Sequence, residues 1–320
     1  GKNEKAPSYQ VTYKQMEAKE PEIENAPPAS DEVKHKTYSM LFSNLILAES
    51  HRKNLENRGF SIEEIEKNGY KSTPVFGFKK LTQKLIEAGC TVKGVPGFYQ
   101  DTDGEWTIYF NPKSAGYMVP VRNIDGLIVG VQIRLDHPYD GRKYIWLSSV
   151  NFHLGASSGS PVHLAGEAGA KILFVTEGPL KGDAAYFLSG RTFACVPGVN
   201  QHANLALFLE EMKAQGTEFV YEAYDMDKLL KQVCRGDYNE KCRYCEHYKK
   251  DWQHSIILCE KKQLKRKNIQ RGCAKLAGIC RTLKLQGKTL TWDMDEDGDW
   301  AEHVKGVDDY LLSLENGAEN

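Results

Sequence analysis

Apolar residues change their spacing three times along this chain. Between residues 38 and 66 they recur at helical intervals, with Leu41, Leu45 and Leu47 fitting one face. Ser61 followed by Glu64 predicts a capping box inside that helical region, and residues 81–89 (LTQKLIEAG) predict a short helix closed by Gly89. The spacing then shortens to two. GEWTIYF, GYMVPVRNIDGLIVGVQIRL and RKYIWLSS alternate apolar and polar positions around turns such as Asn123-Ile124-Asp125-Gly126, the pattern of an antiparallel meander. From residue 171 strand-like and helix-like runs alternate. KILFVTEG, RTFACVPG and EFVYEAYD predict strands, LKGDAAYFLSG and NLALFLEEMKAQG the helices between them, which is the rhythm of a parallel sheet. Further on, NIQRGCAKLAGICRTLKLQG predicts a helix and TLTWDMD a last strand.

Charge divides the chain more sharply than hydropathy does. The net charge of the 320 residues is −1, which points to no class of partner. Residues 228–288, however, hold 17 Lys and Arg against 5 Asp and Glu. Residues 1–35 are polar and Pro-rich and are expected to form a flexible arm. Residues 36–168 are expected to form a helical and β-meander subdomain. Residues 169–320 are expected to form an α/β domain, with the basic, Cys-rich insertion at about 228–271. No apolar run reaches the length of a membrane span and no signal peptide is visible, so no membrane association is expected and the expected location is the cytoplasm. In that compartment the eight cysteines are thiols or metal ligands rather than disulfides.

Two predicted strands end in acid. KILFVTEG closes on Glu177 and Gly178, and EFVYEAYDMD on Asp225 and Asp227, with the two aspartates expected on one side of a strand. Carboxylates at the C-terminal ends of parallel strands meet at one sheet edge. There they repel one another unless a hard cation joins them, and Mg²⁺ (or Mn²⁺) is the usual one. Asp308 and Asp309 in KGVDDYL follow the last strand and offer a further ligand in Asp308, or an N-cap. Asp293-x-Asp295-x-Asp297-Gly298 begins like a calcium loop, but Val304 stands at the twelfth position, which excludes a calcium sensor. Asp293 and Asp295 stay as acids that could stand near the site.

The Glu-Gly and Asp-x-Asp pairing resembles the Toprim fold shared by bacterial primases, topoisomerases and some nucleases. The meander is similar to the strand pair that precedes Toprim in bacterial primases, on Pro120, Arg122, Asp125, Gly126 and Gly130, then Lys143 and Tyr144, with Asn123 departing from the pattern. RGFSIEEIEKNGYKS, GVPGFY, SSGSPVHLA, VTEGPLKGDAA, CVPGVN and KGVDDYL resemble an uncharacterised Toprim-containing family of plasmids, phages and integrative elements over residues 38–312. The implied fold is α/β: a Toprim-like, mainly parallel sheet with helices on both faces, preceded by a helical and antiparallel β subdomain. The implied activity is primer synthesis on single-stranded DNA from nucleoside triphosphates, with a helicase or other replication protein as partner. The implied roles are catalysis and Mg²⁺ binding for Glu177, Asp225 and Asp227, and contacts to triphosphate or template for Arg122, Arg134, Lys143 and Lys181. A Toprim nuclease and a non-catalytic nucleic-acid-binding module stay open as alternatives.

The insertion carries its own chemistry. Cys234, Cys242, Cys245 and Cys259 are spaced C-x7-C-x2-C-x13-C in a segment poor in apolar residues, so a structural Zn²⁺ would supply its folding energy. An iron–sulfur cluster uses the same ligands, and His247 and His254 are reserve ligands. Cys273 and Cys280 share an apolar helical face and, like Cys90 and Cys195, read as core. Tyr238, Tyr244, Tyr248 and Trp252 stand among Lys and Arg, which suits stacking and phosphate contact with single strands. Lys261, Lys262, Lys265 and Arg266 are the densest basic stretch and the expected phosphate contacts, against the alternative of a solvated helix face.

Overall fold

The computed structural model describes residues 23–139, 141–245, 257–294, 300 and 304–318. Most of the expected arm, residues 1–22, lies outside them, but α1 (Asp31–Ser43) already starts within its last residues and Ala26 is buried. α2 (Glu49–Glu56) and α3 (Ile62–Asn68) follow. Ser61 and Glu64 form both halves of the capping box on α3, and Gly69 ends that helix in the left-handed region. The helical face expected to include Leu45 and Leu47 ends sooner: α1 stops at Ser43, and these two leucines lie in the connection to α2.

β1 (Lys71–Ser72), α4 (Phe78–Glu87), β2 (Phe98–Gln100) and β3 (Trp106–Ile108) lead into the meander of β4 (Gly116–Arg122), β5 (Ile128–Tyr139) and β6 (Arg142–Trp146). The first sheet has the order β1-β4-β5-β6 and is antiparallel throughout, as the alternation predicts. Its apolar face packs on α1 and α4 through Tyr38, Leu41, Leu85, Met118, Val131 and Ile133. The Tyr38 hydroxyl inside this core donates to Pro96 O at 2.8 Å, so no polar atom is stranded there.

The second sheet is built from β7 (His163–Ala165), β8 (Ile172–Glu177), β9 (Phe193–Val196), β10 (Phe219–Glu222) and β11 (Gln286–Thr289), in the order β11-β10-β8-β9-β7. Four strands run parallel, and β7 closes one edge antiparallel to β9. β7 falls before residue 169, so this sheet begins earlier in the chain than the expected domain boundary. α5 (Pro179–Ser189) and α8 (Val307–Ala318) cover one face, and α6 (Leu205–Ala214) and α7 (Glu260–Thr282) the other. The fold class is thus α/β with a mainly parallel sheet. β11 occupies residues 286–289 rather than TLTWDMD, because Trp292 turns inward and donates from Nε1 to Val304 O at 2.7 Å. α7 is longer than expected and starts within the basic run.

Glycine is required at two close approaches of helices to the parallel sheet and its loops, among others in the chain. Gly182 in α5 lies so near β9 that a Cβ would stand 1.9 Å from Cys195 Sγ. Gly272 in α7 lies against the loop after β9, where a Cβ would stand 2.3 Å from Val199 Cγ2.

A shared core joins the two lobes: Leu55, Phe60, Ile65, Tyr70, Tyr117 and Val119 from the first pack on Leu180 and Ala184 of α5. A buried polar chain lies beside it. The Tyr70 hydroxyl donates to Asp183 Oδ2 at 2.8 Å, and His163 Nε2 stands 2.9 Å from Asp183 Oδ1. The Arg122 amide donates to His163 Nδ1 at 2.9 Å, which fixes the imidazole as the tautomer with its proton on Nε2.

Replacing Gly182 by Ala should destabilise the chain by about 1–3 kcal/mol, the usual cost of overpacking a filled core. The double variant Gly182→Ala/Cys195→Ala should recover most of that loss, because the new methyl group takes the place of the sulfur. A double-mutant cycle in urea measures the recovery.

Candidate active site

The register of the parallel ladder positions the first acids. β8 and β10 pair Val175 with Glu222, and the Ala223 amide extends the ladder to Val175 O at 2.9 Å. Glu177 therefore ends its strand level with the residues just before Asp225. The expectation that Asp225 and Asp227 share a strand is corrected. β10 ends at Glu222, and Asp225 caps a 3-10 turn, Met226–Leu229, that contains Asp227. Lys228 causes the departure. Its ammonium reaches back to Glu222 (3.0 Å) and Tyr224 O (3.2 Å), buried beneath the Trp292 ring, and this pulls the chain into the turn. Met226 is fully buried, as its apolar character dictates.

The carboxylates nevertheless gather at one edge, with lysines among them. Lys181, in the first turn of α5, is hydrogen-bonded to Asp225. Lys265 of α7 lies 2.6 Å from Asp227 Oδ2, and Lys305 lies 3.2 Å from the same oxygen and 3.9 Å from Asp225 Oδ2. Arg58, at the end of α2, stands 3.7 Å from Asp308. Glu177 Oε2 accepts the Val199 amide at 3.2 Å. The Met226 amide donates to Lys305 O at 2.9 Å, which seats the Lys305 segment on the acid loop.

Burial sets the protonation of these groups, and their cations correct it. Burial pushes the Glu177 carboxyl above the usual range; Lys181 opposes this and Asp225 adds to it. Asp308 is likewise pushed up by burial, against Lys181 and Arg58. Burial also opposes the charge on Asp225, but Lys181, Lys305 and Lys265 together hold it below the usual carboxylate range. Lys143 is pushed down, first by burial and then by its neighbours Lys305, Arg134, Arg58 and Lys265. A lysine pressed by other cations marks a surface that favours an anion.

A cleft of about 410 Å³ is lined by most of these groups, but not by Asp227 or Lys265. Glu177, Lys181, Asp225 and Asp308 line one side, with Lys305; Arg134 and Lys143 of the meander line the other, with Arg58. Gly178, at φ +86°, opens α5 with no side-chain cap, and a Cβ there would meet open space. Pro179 has no N–H, so the start of the helix offers a ligand the amides of Leu180 and Lys181. Arg134 Nε is buried without a hydrogen-bond partner, and its guanidinium lies 5.3 Å from the centre of the Tyr144 ring. Arg58 and Lys305 are the residues that sequence reasoning missed. Both lie in quoted motifs, but a lone cation beside a glycine carries no periodicity to mark it.

Other expected contacts are turned elsewhere. Arg122 lines a second cleft, of about 490 Å³, with His163 and Asp183, where its guanidinium donates to Gly126 O and Asn68 O. Lys262 is buried on Asp237 (2.9 Å) and Val233 O (3.3 Å), and Arg266 reaches Leu230 O (3.4 Å). Of the four expected phosphate contacts in this stretch, Lys261 alone is exposed.

The thiols lie in two pairs. An antiparallel bridge joins Val233 and Leu258 next to the buried Cys234 and Cys259, and Cys242 lies within a 3-10 turn, Glu240–Tyr244, that Cys245 caps. His247, Tyr248, Trp252, His254, Asp295 and Asp297 lie outside the described residues. Among the described residues no three His, Cys, Asp or Glu side chains are gathered as a metal-binding set. At the acid cluster the reason is local: ammonium groups meet Asp225 and Asp227. The donor set still fits a hard cation, since Asp308 Oδ1 is buried with no hydrogen-bond donor and Glu177 and Asp308 both resist ionisation.

No family model matches the chain, and no curated protein matches it. Among solved structures, it is similar to the zinc-binding and RNA polymerase domains of the Aquifex aeolicus primase. The TM-score is 0.57 at 12% identity, covering 91% of this chain and 60% of that one. The RNA polymerase domain of Mycobacterium tuberculosis primase DnaG, crystallised with a double-stranded DNA oligomer carrying a 6-nucleotide overhang, gives a TM-score of 0.49 at 18% identity, over 63% of this chain and 66% of that one. The chain thus spans less than two thirds of either. No helix among the described residues is long and apolar enough to cross a membrane. The fold is primase-like.

Asp308 and Asp225 should respond to pH in opposite senses. Asp308 is raised in the fold, so the unfolded chain ionises first and stability is lost as pH rises through the carboxylate range. Asp308→Asn should therefore raise the melting temperature near pH 7.5, on the order of 2 °C, and the gain should vanish near pH 4. Asp225 is lowered, so its contribution is present at neutral pH and lost on acidification. Asp225→Asn should cost about 3 kcal/mol at pH 7.5, because it strands the buried Lys181 charge. Thermal melts of both variants at the two pH values check this.

Proposed function

We propose that this chain carries out primase-like, metal-dependent nucleotidyl transfer on a single-stranded nucleic-acid template, at a Toprim-type site. One observation carries the reading: Glu177, Asp225 and Asp308 at the edge of the parallel sheet share a single cleft with Arg134 and Lys143 of the meander. A triphosphate needs cations at its oxygens and a group that accepts a proton from the attacking hydroxyl. Arg134, Lys143 and Arg58 suit the first need, the arginines by planar, paired donation and Lys143 as a point charge. The Leu180 and Lys181 amides at the start of α5 offer further donors. Glu177, pushed up by burial, suits the second. Asp225, Asp227, Glu177 and Asp308 would hold Mg²⁺ or Mn²⁺, which supplies Lewis-acid stabilisation of charge on the transferring phosphoryl group. The primase-like fold supports the reading, and the activities of the similar proteins are carried over here as proposal only.

A structural Zn²⁺ on Cys234, Cys242, Cys245 and Cys259 belongs to the proposal. It is supported by the pairwise placement of the thiols and by the Asn239 amide, which donates to Cys242 Sγ at 3.3 Å. Elemental analysis of the purified chain should find about one zinc per chain, and none would remove the metal from the proposal.

Incubation with single-stranded template, Mg²⁺ and labelled nucleotides should give products that lengthen with time. Asp225→Asn, Asp227→Asn and Glu177→Gln should each lower the rate on the order of 100-fold or more. Arg134→Ala should weaken nucleotide binding by roughly tenfold, the loss of one charge-assisted contact. Shortened template would point to a nuclease, and no product with wild-type chain would leave a binding module.

A further inference from the structure

An amide side chain stands among the charges of the cleft. Gln132 lies on β5 two residues before Arg134, so the two share one face of the strand, and both line the cleft. Gln132 keeps 3% of its exposure, and its side-chain oxygen is buried with no hydrogen-bond partner among the described residues. Its cross-strand neighbours, Val119 on β4 and Trp146 on β6, are large and apolar, and Val119 belongs to the core shared with Leu180 and Ala184. A leucine or methionine would suit such surroundings with no polar atom to satisfy. An amide held there without a partner is destabilising, so it calls for a partner from outside the chain.

A nucleotide has three parts that could meet this amide, and two of them do not suit it. Phosphate oxygens only accept hydrogen bonds, so they never satisfy the amide oxygen, and the cleft already offers them Arg58, Arg134 and Lys143. Base edges carry donors, but a templated site meets a different base at each step, and a residue bonded to one edge would reject the others. The sugar is the constant part that carries donors. A hydroxyl both donates and accepts, so it answers either end of an amide. The last torsion of glutamine is soft and roughly two-fold, so a turn about it brings either the oxygen or the nitrogen to the cleft. Two neighbouring hydroxyls answer both ends together: one donates to the oxygen and the other accepts from the nitrogen. Ribose carries that pair, and deoxyribose does not.

We propose that Gln132 is a specificity-determining residue that hydrogen-bonds the 2′- and 3′-hydroxyls of the incoming nucleotide, so that the cleft takes ribonucleoside rather than deoxyribonucleoside triphosphates. This rests on the nucleotidyl-transfer reading above and names the residue that reads the sugar. Selection comes from what a deoxy sugar leaves behind. Without the 2′-hydroxyl one end of the amide stays unpaired in a buried position, and that penalty falls on the deoxynucleotide alone. Arg134, on the same strand face, meets phosphate and is indifferent to the sugar.

Calorimetric titration of the full chain with ATP, 2′-deoxy-ATP and 3′-deoxy-ATP, each with Mg²⁺, tests the proposal. Wild type should bind ATP about tenfold more tightly than either deoxy form, the loss of one hydrogen bond with its partner left unpaired. Gln132→Met, which keeps the length of the side chain and removes the amide, should bind all three alike, to within about twofold. Arg134→Ala should weaken all three and keep the preference for ATP. Melting curves check that each variant is folded. Equal binding of ATP and 2′-deoxy-ATP by the wild type would overturn the proposal without any variant, and so would a folded Gln132→Met that keeps the preference. If the wild type extends primers with no preference of sugar, this inference falls while the nucleotidyl-transfer reading stands. If it binds no nucleotide, that reading falls and takes this inference with it.

Discussion

Like charges cannot be buried together without partners, and that constraint organises this molecule. Two carboxylates 4 Å apart repel by about 4 kcal/mol even at the effective dielectric of a protein surface. Here Glu177, Asp225, Asp227 and Asp308 share one sheet edge, and three of them are almost wholly removed from water. The compensating cations come from four separate places in the chain: the α2–α3 turn, the start of α5, the second turn of α7 and the segment before α8. Each pairing is long-range in sequence. Charge balance at the edge therefore requires these segments to dock in one arrangement, and the apolar cores on either side of the sheet supply the free energy that holds them there.

The cleft also depends on how the lobes meet. Arg134 and Lys143 belong to the meander, while Glu177 and Lys181 belong to the parallel sheet and its first helix. Apolar packing on Leu180 and Ala184 brings the lobes together but tolerates sliding. The chain from Tyr70 through Asp183 and His163 to the Arg122 amide does not, because each of its bonds is directional and buried. Asp183 and Lys181 lie two residues apart on α5, so the contact that sets the angle between the lobes also sets the reach of Lys181.

Much of this was legible in the sequence because it follows from local periodicity. The meander, the parallel strands, the capping box at Ser61 and Glu64, and Glu177 at the end of β8 all appear where spacing and turn chemistry predict them. What was not legible depends on partners far away in the chain. Asp225 and Asp227 leave the strand because Lys228 turns back to Glu222 and Trp292 closes over it. Lys262 and Lys265 read as free positive charge, yet each faces an acid that no pattern links to it. Arg122 matched a motif, but its guanidinium is committed to the carbonyls of Asn68 and Gly126. Arg58 and Lys305 belong to the site through docking alone.

The close contact at Gly272 has a mechanical consequence. α7 is 23 residues long, about 35 Å from end to end, and it is pinned near its middle, where Gly272 meets Val199. The pinned loop is the one whose amide steadies Glu177, and seven residues towards the N-terminus, roughly 10 Å from the pin, sits Lys265 on Asp227. The far end begins at Cys259, beside Cys234. A rigid rod of this kind behaves as a balance beam: tilting it by about 5° about the pin displaces the Lys265 backbone by about 1 Å relative to Asp227. Whatever grips the thiol-bearing end therefore holds the longer arm of a lever whose shorter load is the charge on Asp227.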